Sequence, residues 1–219
     1  MSELIKKQVK SKNRVANHGE VFTADREVNA MLDLVKKEAQ RIDSRFLEPA
    51  CGTGNFLVEI ISRKLTEVDK KYKKNQLEFE HYSILAVSSI YGIDLLNDNV
   101  QECRKRLFDV FNNIYTARFK KKSKDNCRDS VTFILENNIA AGDALTLQSG
   151  GNPIVFPEWS FVSSTMVKRR DFVFGDLVSH ASLSELPLFS DQGDDVFIPK
   201  PIKEYKLTHF LRLRESHGN

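Results

Sequence analysis

Apolar positions in the first two-thirds of this chain switch repeatedly between helical spacing and short continuous runs. Val28, Met31, Leu32, Val35 and Ala39 recur at helical intervals over residues 24–40. Thr23 stands where an N-cap is expected, and Asp25 and Glu27 suit the first turn. Arg45-Phe46-Leu47-Glu48 reads as a short strand, and Pro49 to Gly54 as a tight turn. Helix resumes at Asn55, with Phe56, Leu57, Ile60, Ile61 and Leu65 on one side, and residues 66–79 extend it or form a solvated excursion. Residues 80–89 read as helix and Ser89 to Asp94 as a second strand. A long amphipathic helix then carries Val100, Cys103, Leu107, Val110, Phe111 and Ile114. Residues 126–136 form a shorter helix that Asn137-Asn138 should break, before a third strand at Ile139 to Asp143.

Alternating strands and helices indicate an α/β fold whose parallel sheet has helices packed on its faces. Ligands of such sheets sit at the carboxyl ends of the strands. Glu48 to Asn55, Asp94 and Asp143 all fall there. From residue 150 the pattern changes. Ile154-Val155-Phe156 and Phe161-Val162 suggest a hairpin, Asp171 to Phe174 a fourth strand, and the tail after Ser190 an extended segment. The expected organisation is one domain over 1–219, with a helical segment (1–43), a ligand-binding core (44–150) and an irregular remainder (151–219).

Composition narrows the class. Hydrophobic residues at 41% and charged residues at 29% are those of an ordinary globular protein. No apolar run approaches the roughly 20 residues of a membrane helix, and the lysine-rich start lacks a secretory h-region. Cys51, Cys103 and Cys127 have no metal-ligand spacing and read as free thiols in a cytoplasmic protein. The five histidines show no metal spacing either, so no metal is expected. The net charge is only +3, but basic residues cluster at Lys6 to Arg14, Lys70 to Lys74, Arg118 to Lys124 and Lys168 to Arg170. Each cluster is either a phosphate-backbone contact or a solvated face. Trp159, between Phe156 and Phe161, either stacks on a base or packs in a hairpin cluster.

The most informative string is Leu47-Glu48-Pro49-Ala50-Cys51-Gly52-Thr53-Gly54-Asn55-Phe56-Leu57. Gly52 and Gly54 allow the backbone to approach a ligand closely. Leu57 occupies the place where a nicotinamide-dinucleotide fingerprint wants a small residue, which argues against a dehydrogenase. The string resembles the S-adenosylmethionine (SAM) motif of DNA adenine-N6 methyltransferases, including methylase subunits of restriction systems. Gly19 to Val28 resembles that family's N-terminal motif, with Thr23-Ala24 where the family has Thr-Pro. Tyr91 to Leu95 resembles its second motif and Asn138 to Leu145 its third. The resemblance covers roughly residues 14–148. It implies a Rossmann-like methyltransferase fold, SAM as cofactor and DNA as partner. It assigns to the cofactor Phe22, Thr23, Glu48, Pro49, Ala50, Cys51, Gly52, Gly54, Asn55, Phe56, Asp94, Leu95, Gly142, Asp143 and Ala144. Of these, Asp94 would hold the ribose and Asp143 the adenine amino group.

Two features depart from the family. Its Asn/Asp-Pro-Pro-Tyr/Phe tetrapeptide, which grips the target amino group and stacks on the flipped base, occurs nowhere in the chain. The nearest positional match is Phe174-Gly175-Asp176-Leu177-Val178-Ser179, with Asp176 as candidate catalytic residue. Second, only about a third of the chain follows Asp143, scarcely room for three more β-α units, so the sheet is expected to be incomplete. Both gaps suit the SAM-binding subunit of a split adenine methyltransferase whose partner supplies the catalytic loop. A catalytically inactive SAM-binding regulator and a methyltransferase with a non-DNA substrate are the alternatives.

Overall fold

A computed structural model describes residues 23–178 and 199–217, together with Arg14 and Ala16. The chain forms a mixed α/β structure around a parallel three-stranded sheet. Its strands are β1 (Phe46–Glu48), β2 (Ile90–Asp94) and β3 (Ile139–Ala141), in the order β1-β2-β3. Phe46 aligns with Ile90, and Gly92 with Ile139, so all three strands end on the same side.

The helical periodicity is explained by one shared core. In α3 (Asn55–Tyr72), Leu57, Ile60, Ile61, Leu65 and Val68 are buried, a continuous stripe at 3- and 4-residue steps. It packs against α4 (Gln76–Ser88) and α5 (Asn97–Phe119), and α6 (Asp125–Asn138) packs on both of these, on one face of the sheet. Charged residues 66–72 continue α3, and α4 starts at Gln76 because Asn75 accepts hydrogen bonds from the Leu77 and Glu78 amides at 3.1 and 3.3 Å. Within α5, Val100, Cys103, Leu107, Phe111 and Tyr115 are buried, whereas Val110 and Ile114 are only partly covered.

Several sequence expectations shift. Residues 24–40 form two helices, α1 (Asp25–Leu34) and α2 (Lys36–Gln40), because the backbone leaves helical values at Val35. Val28, Leu32 and Ala39 are buried, whereas Met31 and Val35 are exposed. The N-cap of α1 is Ala24, with no side-chain cap, so Thr23 does not play that part. Asn137-Asn138 closes α6, two residues beyond the expected end at 136 and directly before β3. Asn138 is its last residue, and its buried amide donates to the Ser88 and Ile90 carbonyls at 3.2 and 3.0 Å.

Among the described residues, the other face of the sheet is covered mainly by the strands that follow β3. Ile154, Phe156 and Phe174 pack there against Ile93, with Tyr91 and Ala140. They belong to or flank a hairpin of β6 (Val155–Phe161) and β7 (Met166–Val173), which follows the two-residue strands β4 (Gln148–Ser149) and β5 (Asn152–Pro153). The expected hairpin arms, around 154–156 and 161–162, therefore lie along one strand, and the expected fourth strand is its antiparallel partner. Pro157 fits because β6 is an edge strand. On the other side of β7 lie β8 (Lys203–Glu204) and β9 (Thr208–His209), followed by a 3-10 turn and α7 (Leu213–His217). Trp159 is a core residue: it is 5% exposed, meets Phe133 edge-on and donates to Asn138 Oδ1 at 2.9 Å.

Candidate functional site

Three strand tips and one turn build a cavity of about 510 Å3, within the size range of small-molecule sites. The turn after β1 is formed locally. The Cys51 amide donates to the Ile93 carbonyl at 2.9 Å, which ties the turn to β2, and the Gly54 amide closes it onto the Cys51 carbonyl at 2.8 Å. Gly52 and Gly54 have φ of +53° and +87°, where L side chains are strained. A Cβ at Gly54 would also stand 2.6 Å from Cys103 Sγ. Gly54 therefore lies behind the turn and lets α3 and α5 approach; it does not line the cavity.

Asp94, at the tip of β2, organises the opening. Its Oδ2 accepts from the Gly52 amide at 2.9 Å, and its Oδ1 from the Leu96 amide and Asn99 Nδ2 at 2.9 and 3.2 Å. Asp143, after β3, accepts from the Leu145 and Thr146 amides at 2.8 and 3.4 Å. Those donors, Leu145 first, hold its carboxyl below the usual range. The tips of β2 and β3 are joined where the Gly142 amide donates to the Asp94 carbonyl at 2.9 Å. Glu48 also lines the cavity, and burial pushes its carboxyl pKa up. The Cys51 thiol is pushed far up by its hydrogen bond with Cys103 and by burial, so it is held protonated and is no nucleophile.

Thirteen of the residues singled out in the sequence line this one cavity: Thr23, Glu48 to Gly52, Asn55, Phe56, Asp94, Leu95 and Gly142 to Ala144. Phe22 lies outside the described residues. Asp176 is not brought to the cavity. It sits in a helical turn over 174–178 after β7, while its neighbours Phe174 and Leu177 line a second cavity of about 720 Å3 beside β1.

Sequence reasoning missed Asn99 and Arg106. Asn99 is 1% exposed, lines the cavity and bonds Asp94; it also accepts from Arg14 at 3.2 Å, while Arg14 binds Asp98 at 2.6 Å. Arg106 clamps the turn from behind, donating to the Thr53 carbonyl at 2.7 Å and to Asn55 Oδ1 at 2.8 Å. Asn55 in turn donates to the Thr23 carbonyl at 2.9 Å, which brings the N-terminal motif to the cavity. The position of Asn99, in the first turn after the acidic strand tip, was a usable signal. Nothing in the sequence marked Arg106, because it reaches the turn only through the packing of α5 on α3.

With this geometry in place, the comparison with known families is decisive. Residues 22–151, more than half of the chain, match the family model described as MmeI, DNA-methyltransferase domain. The chain belongs to this family. It is a methyltransferase family of restriction-modification type. No curated protein and no solved structure matches the chain. The MmeI match runs from the residue before Thr23 to the β4–β5 turn, and so takes in every described cavity residue. The β6–β7 hairpin and Asp176 lie beyond it. Among the described residues, no group of three or more His, Cys, Asp or Glu side chains is placed to hold a metal ion, and no helix is long and apolar enough to cross a membrane.

Proposed function

We propose that this chain is the SAM-binding part of a DNA adenine-N6 methyltransferase, built on an incomplete Rossmann-like sheet and completed by a partner chain. The observation that carries the reading is the convergence of the glycine turn, Asp94 and Asp143 around one cavity. The residues fit the cofactor. Gly52 brings a backbone without a side chain to the cavity wall for the methionine part, Asp94 offers a carboxylate to the ribose hydroxyls, and Asp143 an acceptor to the adenine amino group. When bound, SAM supplies an electrophilic methyl group. The chain's own part is to bind, orient and exclude water around the donor, while the acceptor adenine leaves the duplex.

Three observations favour a partner. The chain lacks Asn-Pro-Pro-Tyr. Its positional substitute, Asp176, stands away from the cavity. Among the described residues no strand pairs with the outer edge of β1, and the larger cavity opens beside that edge, lined by Leu47, Tyr91, Phe156, Phe172 and Phe174. A partner strand carrying the missing tetrapeptide would extend the sheet there and bring its loop to the strand tips.

The test is calorimetry of SAM with the isolated chain, followed by methyl transfer to adenine-containing DNA with and without a chain that encodes Asn-Pro-Pro-Tyr. SAM binding alone, and transfer only with the partner, is the expected result. Transfer by the lone chain would overturn the split, and absence of SAM binding would overturn the whole reading. Binding without transfer under any partner condition would leave an inactive SAM-dependent regulator.

A further inference from the structure

The four basic clusters of the sequence have different fates in the fold. Lys168 pairs with Glu204, Arg169 with Asp171 and Arg170 with Glu158, so that cluster is spent within the hairpin sheet. Lys6 to Lys12 lie outside the described residues, and Arg14 is bound to Asp98. The other two clusters are brought together. Lys70 to Lys74 straddle the end of α3, and Lys120–Lys122 form a 3-10 turn after α5. Arg118 grips Asp69 with two hydrogen bonds, at 2.7 and 2.5 Å, and Gln76 donates to the Lys122 carbonyl at 2.8 Å. These bonds hold the two lysine runs side by side.

Acidic side chains at this end are mostly engaged: Glu67 with Lys70, Asp69 with Arg118, Glu80 with Lys124 and Asp125 with Arg128. Lys71, Lys73, Lys74, Lys120, Lys121 and Lys122 are exposed and make no ion pair among the described residues. Lys120 also has φ of +50°, a left-handed conformation that glycine would adopt without strain. The chain keeps a lysine where its own backbone disfavours one, and strain of this kind gathers at functional surfaces.

We infer that these six lysines form a second nucleic-acid surface, which holds the phosphate backbone of a duplex away from the methyl-donor cavity. The cavity lies at the N-terminal end of α3 and this surface at its C-terminal end, so 18 residues of helix separate them by about 27 Å. A duplex segment presented to the cavity is thus not the segment held here. The aromatic residues at this end are occupied: Tyr72 stacks on Tyr82 at 3.9 Å, and Phe119 meets Phe79 edge-on. Rings engaged with one another in this way favour a duplex over the unstacked bases that single-strand binders take up. Interleaved apolar anchors of the kind that seat a helix on a lipid surface are limited to Leu77. Flexible point charges without base-reading groups suit sequence-independent binding driven by counterion release.

This inference stands apart from the SAM reading, and calorimetry of SAM can fail without touching it. The experiment is anisotropy of the full chain with a labelled mixed-sequence DNA duplex across about 50 to 200 mM salt. Parallel arms use duplex RNA, single-stranded DNA and phosphatidylserine vesicles. Two variants are compared: Lys71→Glu/Lys73→Glu/Lys74→Glu and Lys121→Glu/Lys122→Glu. Each is expected to weaken duplex binding about tenfold or more at the lowest salt, and to flatten the salt slope by about 0.9 for each phosphate no longer neutralised. Melting temperature and SAM affinity should stay as in the parent chain. Equal binding of duplex RNA supports a surface that reads backbone charge alone, and preference for duplex DNA assigns the source to DNA. Unchanged duplex affinity in both variants overturns the inference. So does tighter binding to single strands or vesicles than to the duplex.

Discussion

The parallel sheet and the antiparallel hairpin sheet treat their polar groups in opposite ways. In the hairpin sheet, polar side chains are consumed by one another. Arg169 binds Asp171 through two hydrogen bonds at 2.7 and 2.9 Å, Tyr205 donates to the same carboxylate at 3.0 Å, and the guanidinium lies 4.5 Å from the Tyr205 ring centre. Arg45 and Arg170 share Glu158. At the tips of the parallel sheet, Glu48, Asp94 and Asp143 instead face a cavity. Charge bonded on all sides holds a structure together; charge that keeps a face toward a cavity is able to hold something else. Single substitutions can break that distinction.

The largest effect should come from the hairpin. Asp171→Ala leaves Arg169 buried at 6% exposure without its carboxylate, a change that costs about 3–5 kcal/mol. Denaturant unfolding should show that loss, while SAM affinity of the folded fraction stays put. A parallel fall in SAM affinity would mean that the two sheets are not separable in function. Gly54→Ala comes next. The left-handed φ and the 2.6 Å approach to Cys103 together cost roughly 2–4 kcal/mol. Because Gly54 sits directly behind the turn, this variant should lose both stability and SAM binding; a normal melting curve would show that the turn tolerates a side chain.

Smaller losses, confined to ligand binding, are expected at the strand tips. Asp94→Ala and Asp143→Ala should each weaken SAM binding by about 1–3 kcal/mol, through loss of a hydrogen-bonding partner. Asp94 should also carry some stability, since it accepts from the Gly52 and Leu96 amides. Calorimetry on both variants decides the matter: undiminished affinity in the pair would remove the ribose and adenine assignments.

How far the sequence foretold this depends on the range of the interactions. The glycine turn and the two acidic tips were legible because each is a local consequence of strand, turn and helix start. The periodic stripe of α3 was legible for the same reason. What failed was long-range. Asn138 marks the end of a helix in the sequence, but nothing near it announces that Trp159, 21 residues later, donates to its side-chain oxygen. Residues 171–174 read as a fourth strand without a partner, and the partner turns out to be β6. Arg106 carries no local sign that it reaches Thr53. Strand partners and clamps of this sort are chosen by packing, which periodicity does not encode.

Lys64 applies the same distinction inside the parallel core. It roots the closed end of β1, away from the cavity, and is 0% exposed. Its ammonium donates to the Ile42 carbonyl at 3.3 Å, to the Ser44 carbonyl and to Ser89 Oγ at 2.5 Å, so all three protons have acceptors. Burial nevertheless lowers its pKa to about 7, against roughly 10.4 in an unfolded chain. Between those values the unfolded state binds more protons, so stability must rise with pH. From pH 7 to pH 8 the gain is about 1 kcal/mol. Chemical unfolding of the parent chain and of Lys64→Met across that interval isolates the effect, since the variant should lose this part of the slope. Equal slopes would mean that the three acceptors outweigh burial and keep the ammonium charged. Lys64 would then be, like Arg169, an ion fully used by the fold.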